Sequence, residues 1–303
     1  MLVKTPLFEG ASLEIYRPDI DYFIDKIKNC EYISQIRFQI EYWNMIRSAM
    51  RIMGYPGKEM PKVKVDNKFL DKLSHSMMRA FENDYHVGRG RPWKFSQEVF
   101  RGHLSAITSP KPEGFILAVA DRGVYYDDGV PETGHAWQSD LIKTLIPNGE
   151  VPFLSTVWRK WSQSGEIQKF IDVIKDKAVV VVGPYYYKDL AEKIGLTNHR
   201  YIEIHYKEAC LHVKKTKQRM IVAYNEMLRE NDDVVFLMSG GSAGAWLAYE
   251  LHTRFEKAHI LELGRAMDVF FCYDYDIRSK VPNWVFGQWM KNNPPLWLKE
   301  SQG

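Results

Sequence analysis

The chain has 303 residues, of which 45% are hydrophobic and 26% are charged, with 41 Lys and Arg against 38 Asp and Glu. This composition excludes a disordered chain, a collagen-like repeat and a coiled-coil rod, and a chain of this length can bury a large core. The formal net charge of +3 permits an anionic ligand without requiring nucleic acid.

In the N-terminal part, apolar residues from Ile20 to Ile27 follow the i, i+3, i+4, i+7 spacing of an amphipathic helix. The pattern predicts a helix from Asp19 to Met53, which the sequence Gly-Tyr-Pro-Gly at 54–57 ends. A second helix is predicted over Asn67–Glu82. Residues 1–66 are therefore expected to form an N-terminal helical extension.

Beyond residue 66, short apolar runs alternate with helical patterns. The predicted strands are Phe115–Ala120, Ala178–Val182, Tyr201–Ile204, Val234–Met238 and His259–Leu263, and the predicted helices among them include Tyr185–Ile194, Lys207–Arg229 and a helix that ends near Phe255. This alternation predicts an α/β fold with a mostly parallel sheet and helices on both faces. We expect residues 67–280 to form this core and residues 281–303 to form an aromatic-rich C-terminal tail.

In a parallel sheet, ligands bind beyond the carboxyl ends of the strands. This rule points to four segments: Gly183–Tyr187, His205–Glu208, Ser239–Ser242 and Glu262–Asp268. Gly240 and Gly241 would let the backbone approach a ligand, and the free N–H groups of the following helix would bind a phosphate. Ser242 would cap that helix or donate to a phosphate oxygen. A simple strand–helix turn with a serine cap explains the same spacing equally well.

Two sets of acidic residues could carry chemistry. Glu82 and Asp84 could converge on one divalent cation and neutralise a leaving diphosphate, although a solvated acidic pair at a helix end is favoured by the spacing alone. Glu262, Arg265 and Asp268 follow the last predicted strand. The carboxylates there could act as a base and the arginine could bind an anion, or the set could be a structural ion pair.

These segments resemble the motifs of the GT-D-type glycosyltransferases, a bacterial and phage-associated family. Arg79, Glu82 and Asp84 take the places of the family's R-x-x-D-x-E stretch, usually written RFGDGE, with the two acids exchanged. The segment Gly241–Leu251 resembles G-P-T-A-x-x-L-A-Y-D-L. The segment Glu262–Asp268 resembles D-I-G-H-x-D with one residue added and with an arginine at the family's histidine.

The resemblance spans about Phe69 to Phe271. It implies a Rossmann-like core and the transfer of a sugar from a nucleoside diphosphate donor, most simply a UDP-sugar, to a hydroxyl acceptor. It also implies Mn²⁺ or Mg²⁺ bound by Glu82 and Asp84, with the exchange of the acids leaving this binding open. The implied donor-binding residues are Arg79, Gly183, Lys207, Ser239, Gly240, Gly241 and Ser242. The implied catalytic residues are Glu262, Arg265 and Asp268, with Asp268 as the first candidate for the base.

The acceptor stays open between a glycan and a hydroxylated base in phage DNA. A basic strip on Lys207–Arg229, together with Arg89, Arg91 and Trp93, would contact nucleic-acid phosphates, or it would simply be a solvated basic face. A Rossmann-type methyltransferase and a non-catalytic nucleotide-sugar-binding protein are the alternative functions.

The cellular location follows from two simpler observations. Cys30, Cys210 and Cys272 are far apart and form no CxxC motif, which is typical of reduced thiols in a cytoplasm. The apolar runs are too short for a membrane span, and the N-terminus lacks the apolar stretch of a signal peptide. We therefore expect a cytoplasmic protein.

Overall fold

A computed structural model describes residues 2–7, 10–38, 40–55, 64–82, 94–119, 136–147, 149–205, 208–281 and 294–300. The strands are β1 Leu2–Pro6, β2 Glu14–Pro18, β3 Ser34–Phe38, β4 Phe115–Val119, β5 Phe153–Leu154, β6 Ala178–Gly183, β7 Asn198–Glu203, β8 Val234–Met238 and β9 Ala258–Glu262. The helices are α1 Ile20–Lys28, α2 Ile40–Ile52, α3 Asn67–Ala80, α4 Gln97–Thr108, α5 Ala136–Leu145, α6 Val157–Ser164, α7 Ile167–Ile174, α8 Leu190–Lys193, α9 Val213–Met227, α10 Gly241–His252, α11 Tyr275–Lys280 and α12 Leu296–Glu300. The described residues also form 3-10 helices at Tyr185–Asp189 and Ala266–Phe271.

The strands form one nine-stranded sheet in the order β1-β2-β5-β4-β3-β9-β8-β6-β7. Strand β1 is antiparallel to β2, and the other neighbouring strands are parallel. The β-branched run of β6 is buried at every position, as a strand covered on both faces requires. The predicted α/β class with a mostly parallel, Rossmann-like sheet is confirmed.

Helices cover both faces of the sheet. On β3, Phe38 packs against Tyr42 of α2 and His103 of α4. Gln35, which points to the opposite face because it lies an odd number of residues away, accepts a hydrogen bond from Trp158 of α6 at 2.9 Å. Among the described residues, no helix is both long and apolar enough to cross a membrane.

The predicted continuous helix from Asp19 to Met53 is wrong in its middle. Helix α1 ends at Lys28, the chain turns at Cys30 with a φ of +53°, and β3 follows as a buried central strand between β4 and β9. The sequence disguises β3 because a strand buried on both faces normally reads as an apolar run, whereas Gln35 and Arg37 are buried here. Residues 1–66 therefore contribute β1, β2 and β3 to the common sheet and are not an all-helical extension.

Candidate active site

The carboxyl ends of three adjacent parallel strands form one edge of the sheet. Val182 of β6 is level with Met238 of β8, and Met238 is level with Glu262 of β9. The residues that follow these strands therefore emerge side by side. The structure thus brings together three of the predicted segments: the segment after Gly183, the segment Ser239–Ser242, and the segment Glu262–Asp268.

Tyr187 connects these three segments. A Cβ atom placed on Gly183 would lie 2.6 Å from Cδ2 of the Tyr187 ring, so the ring packs directly on that glycine. The Ser239 side chain interacts with the Tyr187 side chain, and the Tyr187 hydroxyl donates to Oδ1 of Asp268 at 2.8 Å. Sequence analysis placed this tyrosine in the segment Gly183–Tyr187 but gave it no role. The Tyr-Tyr-Tyr run directly after the Gly-Pro turn was the signal for it.

Asp268 is completely buried on the 3-10 helix that follows β9. Its Oδ1 accepts a second hydrogen bond, from the Tyr186 hydroxyl at 2.9 Å, whereas Oδ2 has no hydrogen-bond partner among the described residues. Burial raises the pKa of Asp268 to about 7, against the opposing effects of Arg265, the two tyrosines and Arg159. A carboxyl group with a pKa near neutrality is suited to accept a proton.

Glu262 forms a second buried carboxyl site at the end of β9. The Gly264 backbone N–H donates to its Oε1 at 3.2 Å, and Nε of Arg37 lies 3.9 Å from its Oε2. Burial raises the pKa of Glu262 to about 7, although Arg37 and the Gly264 N–H oppose the shift. A Cβ on Gly244, in the first turn of α10, would lie 3.3 Å from the Glu262 side chain. Glu262 is therefore packed directly beneath the glycine-rich turn.

Arg37 is a site residue that sequence analysis missed. It is 6% exposed at the carboxyl end of β3, and its Nε makes no hydrogen bond within the described part of the chain. The available signal was the pair Arg37-Phe38, which repeats the Arg-Phe opening of the RFGDGE motif that was assigned to Arg79 instead. Nε of Arg37 lies beside Oε2 of Glu262, whereas Arg79 is exposed on α3.

The glycine-rich turn leads directly into α10. Gly240 is the N-cap residue and makes no side-chain capping bond, and Gly241 has a φ of +54°. The expected serine cap is therefore absent at this helix start, which leaves first-turn N–H groups for an anion. Nε2 of His103 lies 2.5 Å from the Ser242 carbonyl oxygen and donates to it, because a carbonyl only accepts. Burial lowers the His103 pKa to about 4, so the ring is neutral near pH 7.

The predicted metal ligands are described only in part. Glu82 is exposed just after α3, and Asp84 and Lys207 lie outside the described residues. Phe81 packs on Phe95 with ring centroids 4.6 Å apart, so the end of α3 lies beside the start of α4. Within the described ranges, no group of three or more His, Cys, Asp or Glu side chains is placed to hold a metal ion. The described residues therefore supply one carboxylate of the predicted pair.

The basic strip on the predicted helix Lys207–Arg229 is largely balanced by acceptors. Helix α9 begins at Val213, Lys214 pairs with Glu98 at 3.2 Å, and Lys217 pairs with Glu250 at 3.0 Å. These two lysines therefore have acidic partners within the chain, as expected for a solvated basic face. Arg89, Arg91 and Trp93 lie outside the described residues.

Comparison with solved structures identifies the class of fold. A glycosyltransferase (DUF1792) from Streptococcus sanguinis aligns with a TM-score of 0.51 at 13% identity, and the alignment covers 88% of this chain and 85% of that one. A second structure, of the domain of unknown function 1792, aligns with a TM-score of 0.51 at 12% identity and covers 88% and 82% of the two chains. No family model and no curated protein matches the sequence.

These structural alignments establish a shared fold. The chain has the fold of the DUF1792 glycosyltransferases, and the GT-D resemblance inferred from the motifs is confirmed at this level.

Proposed function

We propose that the chain is a glycosyltransferase that moves a sugar from a nucleoside diphosphate donor, most simply a UDP-sugar, to a hydroxyl acceptor. The observation that carries the proposal is the contact of Tyr187 with Gly183, Ser239 and Asp268. These contacts join a glycine-rich turn suited to phosphate with a buried carboxyl group suited to accept a proton. They lie at the edge of the sheet where an α/β fold binds its ligands.

The donor diphosphate would bind at the N-terminus of α10. The helix has 12 residues and no side-chain cap, so its first-turn N–H groups and dipole favour a negative charge. Ser239 and Ser242 would donate hydroxyl hydrogen bonds to the phosphates or the ribose, and Gly240 and Gly241 would allow close approach. Arg265 would balance the negative charge that develops on the leaving diphosphate. Gly183, Arg79 and Lys207 remain proposed donor-binding residues.

In the proposed reaction, Oδ2 of Asp268 takes the proton of the acceptor hydroxyl. The acceptor oxygen bonds to the anomeric carbon, and the bond from that carbon to the diphosphate breaks with its electron pair on the diphosphate. Glu262 would hold Arg37 close to the reacting centre. Because Asp268 is completely buried, the acceptor reaches Oδ2 only when the chain that covers it moves aside.

We also propose that Glu82 and Asp84 bind Mn²⁺ or Mg²⁺ at the donor diphosphate. A hard cation suits a pair of carboxylates. Asp84→Ala should abolish metal-dependent turnover. Glu82→Gln should weaken Mn²⁺ binding measured as free Mn²⁺ by electron paramagnetic resonance, while Glu226→Gln, an exposed carboxylate on α9, should not. Equal Mn²⁺ affinity of Glu82→Gln and Glu226→Gln would rule out the proposed metal site, whatever the activity of the two variants.

A glycan is the favoured acceptor over a hydroxylated base in DNA. The two lysines of α9 described above form ion pairs within the chain and are thereby less suited to bind phosphates in a nucleic acid. A DNA acceptor would give transfer that falls steeply with salt concentration, because counterions are released on binding. Transfer to glycan acceptors should show a weak dependence on salt.

The first experiment is a thermal-shift screen of nucleotide sugars with and without Mn²⁺. A ligand that binds only the folded state raises the melting temperature by mass action. UDP release with a stabilising sugar nucleotide would support transfer. Stabilisation by S-adenosylmethionine instead would favour the methyltransferase, although the glycine-rich turn follows β8 and not the first strand of the sheet. Binding without turnover on any acceptor would favour a non-catalytic protein.

A further inference from the structure

Two consecutive tyrosines hold the same oxygen of one buried aspartate. The hydroxyls of Tyr186 and Tyr187 donate to Oδ1 of Asp268 at 2.9 Å and 2.8 Å. All three side chains are buried, with 4%, 1% and 0% of their surfaces exposed. The other oxygen, Oδ2, is buried without a hydrogen bond from any described residue. One oxygen of the carboxyl group therefore accepts two hydrogen bonds, and the other accepts none from the described residues.

The fold explains how the three side chains meet. The tyrosines lie on the 3-10 helix after β6, and Asp268 lies on the 3-10 helix after β9. Strand β8 runs between β6 and β9 in the sheet, so the two hydrogen bonds pass across the point where the glycine-rich turn begins. The contact between Ser239 and Tyr187 joins that turn to the same cluster.

The rings are held as firmly as the hydroxyls. Tyr187 stacks on Phe271 with an interplanar angle of 14°, and Tyr186 meets the same ring edge-on at 88°. Phe271 belongs to the 3-10 helix that carries Asp268. The tyrosines and the aspartate are therefore fixed relative to one another by packing, and neither hydroxyl oxygen can leave Oδ1 of Asp268 without movement of a buried ring.

We infer that Tyr186 and Tyr187 are positioning residues that occupy Oδ1 of Asp268 and thereby present Oδ2 to the acceptor hydroxyl. The inference rests on the proposed role of Asp268 as the base. Two donors on Oδ1 fix the plane of the carboxyl group and favour its ionised form. Both hydroxyls stay protonated at neutral pH because burial holds the pKa of each tyrosine well above its usual range.

The test uses Tyr186→Phe, Tyr187→Phe and the double variant. Each variant keeps the ring and loses one or both donors to Oδ1, so the pKa of Asp268 should rise by about one pH unit for each hydroxyl removed. The acidic limb of the kcat/KM pH profile should move to higher pH by the same amount. kcat at pH 7 should fall about fivefold in each single variant and about fiftyfold in the double variant, as these shifts lower the ionised fraction of Asp268. KM for the donor should change little in Tyr186→Phe, because this variant retains the contact between Ser239 and Tyr187.

The matched control is Tyr224→Phe. Tyr224 is another buried tyrosine whose hydroxyl makes a hydrogen bond, which it accepts from the Lys257 N–H at 3.2 Å, and it lies away from the carboxyl edge. This variant should leave the pH profile unchanged. If Tyr186→Phe and Tyr187→Phe give the same profile as Tyr224→Phe, the inference is overturned. If Tyr187→Phe does not fold, Tyr186→Phe alone decides, because it removes one of the two donors to the same oxygen.

A measurement without turnover separates this inference from the proposed function. In protein labelled with ¹³C at aspartate side chains, the resonance missing from Asp268→Asn reports the titration of Asp268. An upward shift of that titration in the tyrosine variants supports the positioning role of Tyr186 and Tyr187 even if no sugar is transferred to any acceptor. An unchanged titration in these variants overturns that role even if the chain proves to be a glycosyltransferase.

Discussion

At the scale of single residues, the site requires a glycine at position 264, where a larger side chain does not fit. Gly264 follows β9 with a φ of +59°, and a Cβ there would lie 1.8 Å from Nη1 of Arg37. The glycine therefore serves two purposes: it adopts a left-handed conformation, and it makes space for a buried guanidinium beside Glu262. Such a requirement is visible only when the arginine of a distant strand has been placed beside the glycine.

Replacing Gly264 with alanine should destabilise the protein more than an ordinary Gly→Ala change in a left-handed turn. The variant carries backbone strain of about 1 kcal/mol and a further ~1–3 kcal/mol because Arg37 and its neighbours must move. Gly149→Ala is the matched control, since Gly149 has a φ of +88° but nothing within 4 Å of the new Cβ. Urea unfolding measures both variants. Equal losses of stability in the two variants would show that Arg37 can move away from the new Cβ at no cost in free energy.

At the scale of elements, the sequence predicts well what local pattern determines. The β-branched run Ala178–Val182 and the apolar run Val234–Met238 appear as β6 and β8, because strands buried on both faces are apolar throughout. The sequence-based prediction fails at β3, because Gln35 and Arg37 interrupt the apolar pattern. Arg37, the residue by which β3 reaches the site, is therefore also one of the two that hide the strand in the sequence.

The candidate site follows the same division. The glycine-rich turn and the segment Glu262–Asp268 could be predicted, because each directly follows a recognisable strand. The segment Gly183–Tyr187 was placed at this edge too, but the contacts of Tyr186, Tyr187 and Arg37 could not be predicted, because their partners are distant in sequence. Asp268 meets Tyr186 across 82 positions and Arg37 meets Glu262 through the pairing of β3 with β9. Tertiary contacts of this kind have no periodicity in the sequence.

The start of α10 offers a prediction at the scale of an element. A Cβ on Gly240 would lie 2.8 Å from Cα of Gly244 and 2.9 Å from Cδ1 of Ile204. Gly240→Ala should therefore open the turn and misdirect the first N–H groups of the helix. The loss of one hydrogen bond to a charged phosphate, about 1.5 kcal/mol, would weaken UDP binding about tenfold.

Isothermal titration calorimetry with UDP measures this effect. Gly195→Ala is the control, because its new Cβ meets nothing within 4 Å and Gly195 follows α8 away from the turn. An unchanged dissociation constant for Gly240→Ala would place the diphosphate elsewhere on the molecule.

At the scale of the whole molecule, four buried titratable groups oppose one another. Burial raises the pKa values of Asp268 and Glu262 to about 7 and lowers those of His103 and His259 to about 4. Between pH 4 and pH 7 the folded carboxyl groups hold protons that the unfolded ones release, so their contribution to stability falls as the pH rises. The unfolded histidines hold protons that the folded ones lack, so their contribution rises with pH over nearly the same window.

The two pairs should nearly cancel, so we expect the free energy of unfolding to change little between pH 4.5 and pH 6.5, the interval in which these shifts overlap. Asp268→Asn removes one falling contribution. Its stability relative to the unsubstituted protein should therefore increase by about 1.4 kcal/mol for each pH unit across this interval. Urea unfolding at several pH values measures the slope, with Asp276→Asn, whose side chain is 72% exposed, as the control. Parallel curves for Asp268→Asn and the unsubstituted protein would mean that Asp268 is already ionised in the folded state at pH 4.5, and that the tyrosine hydroxyls and arginines outweigh its burial.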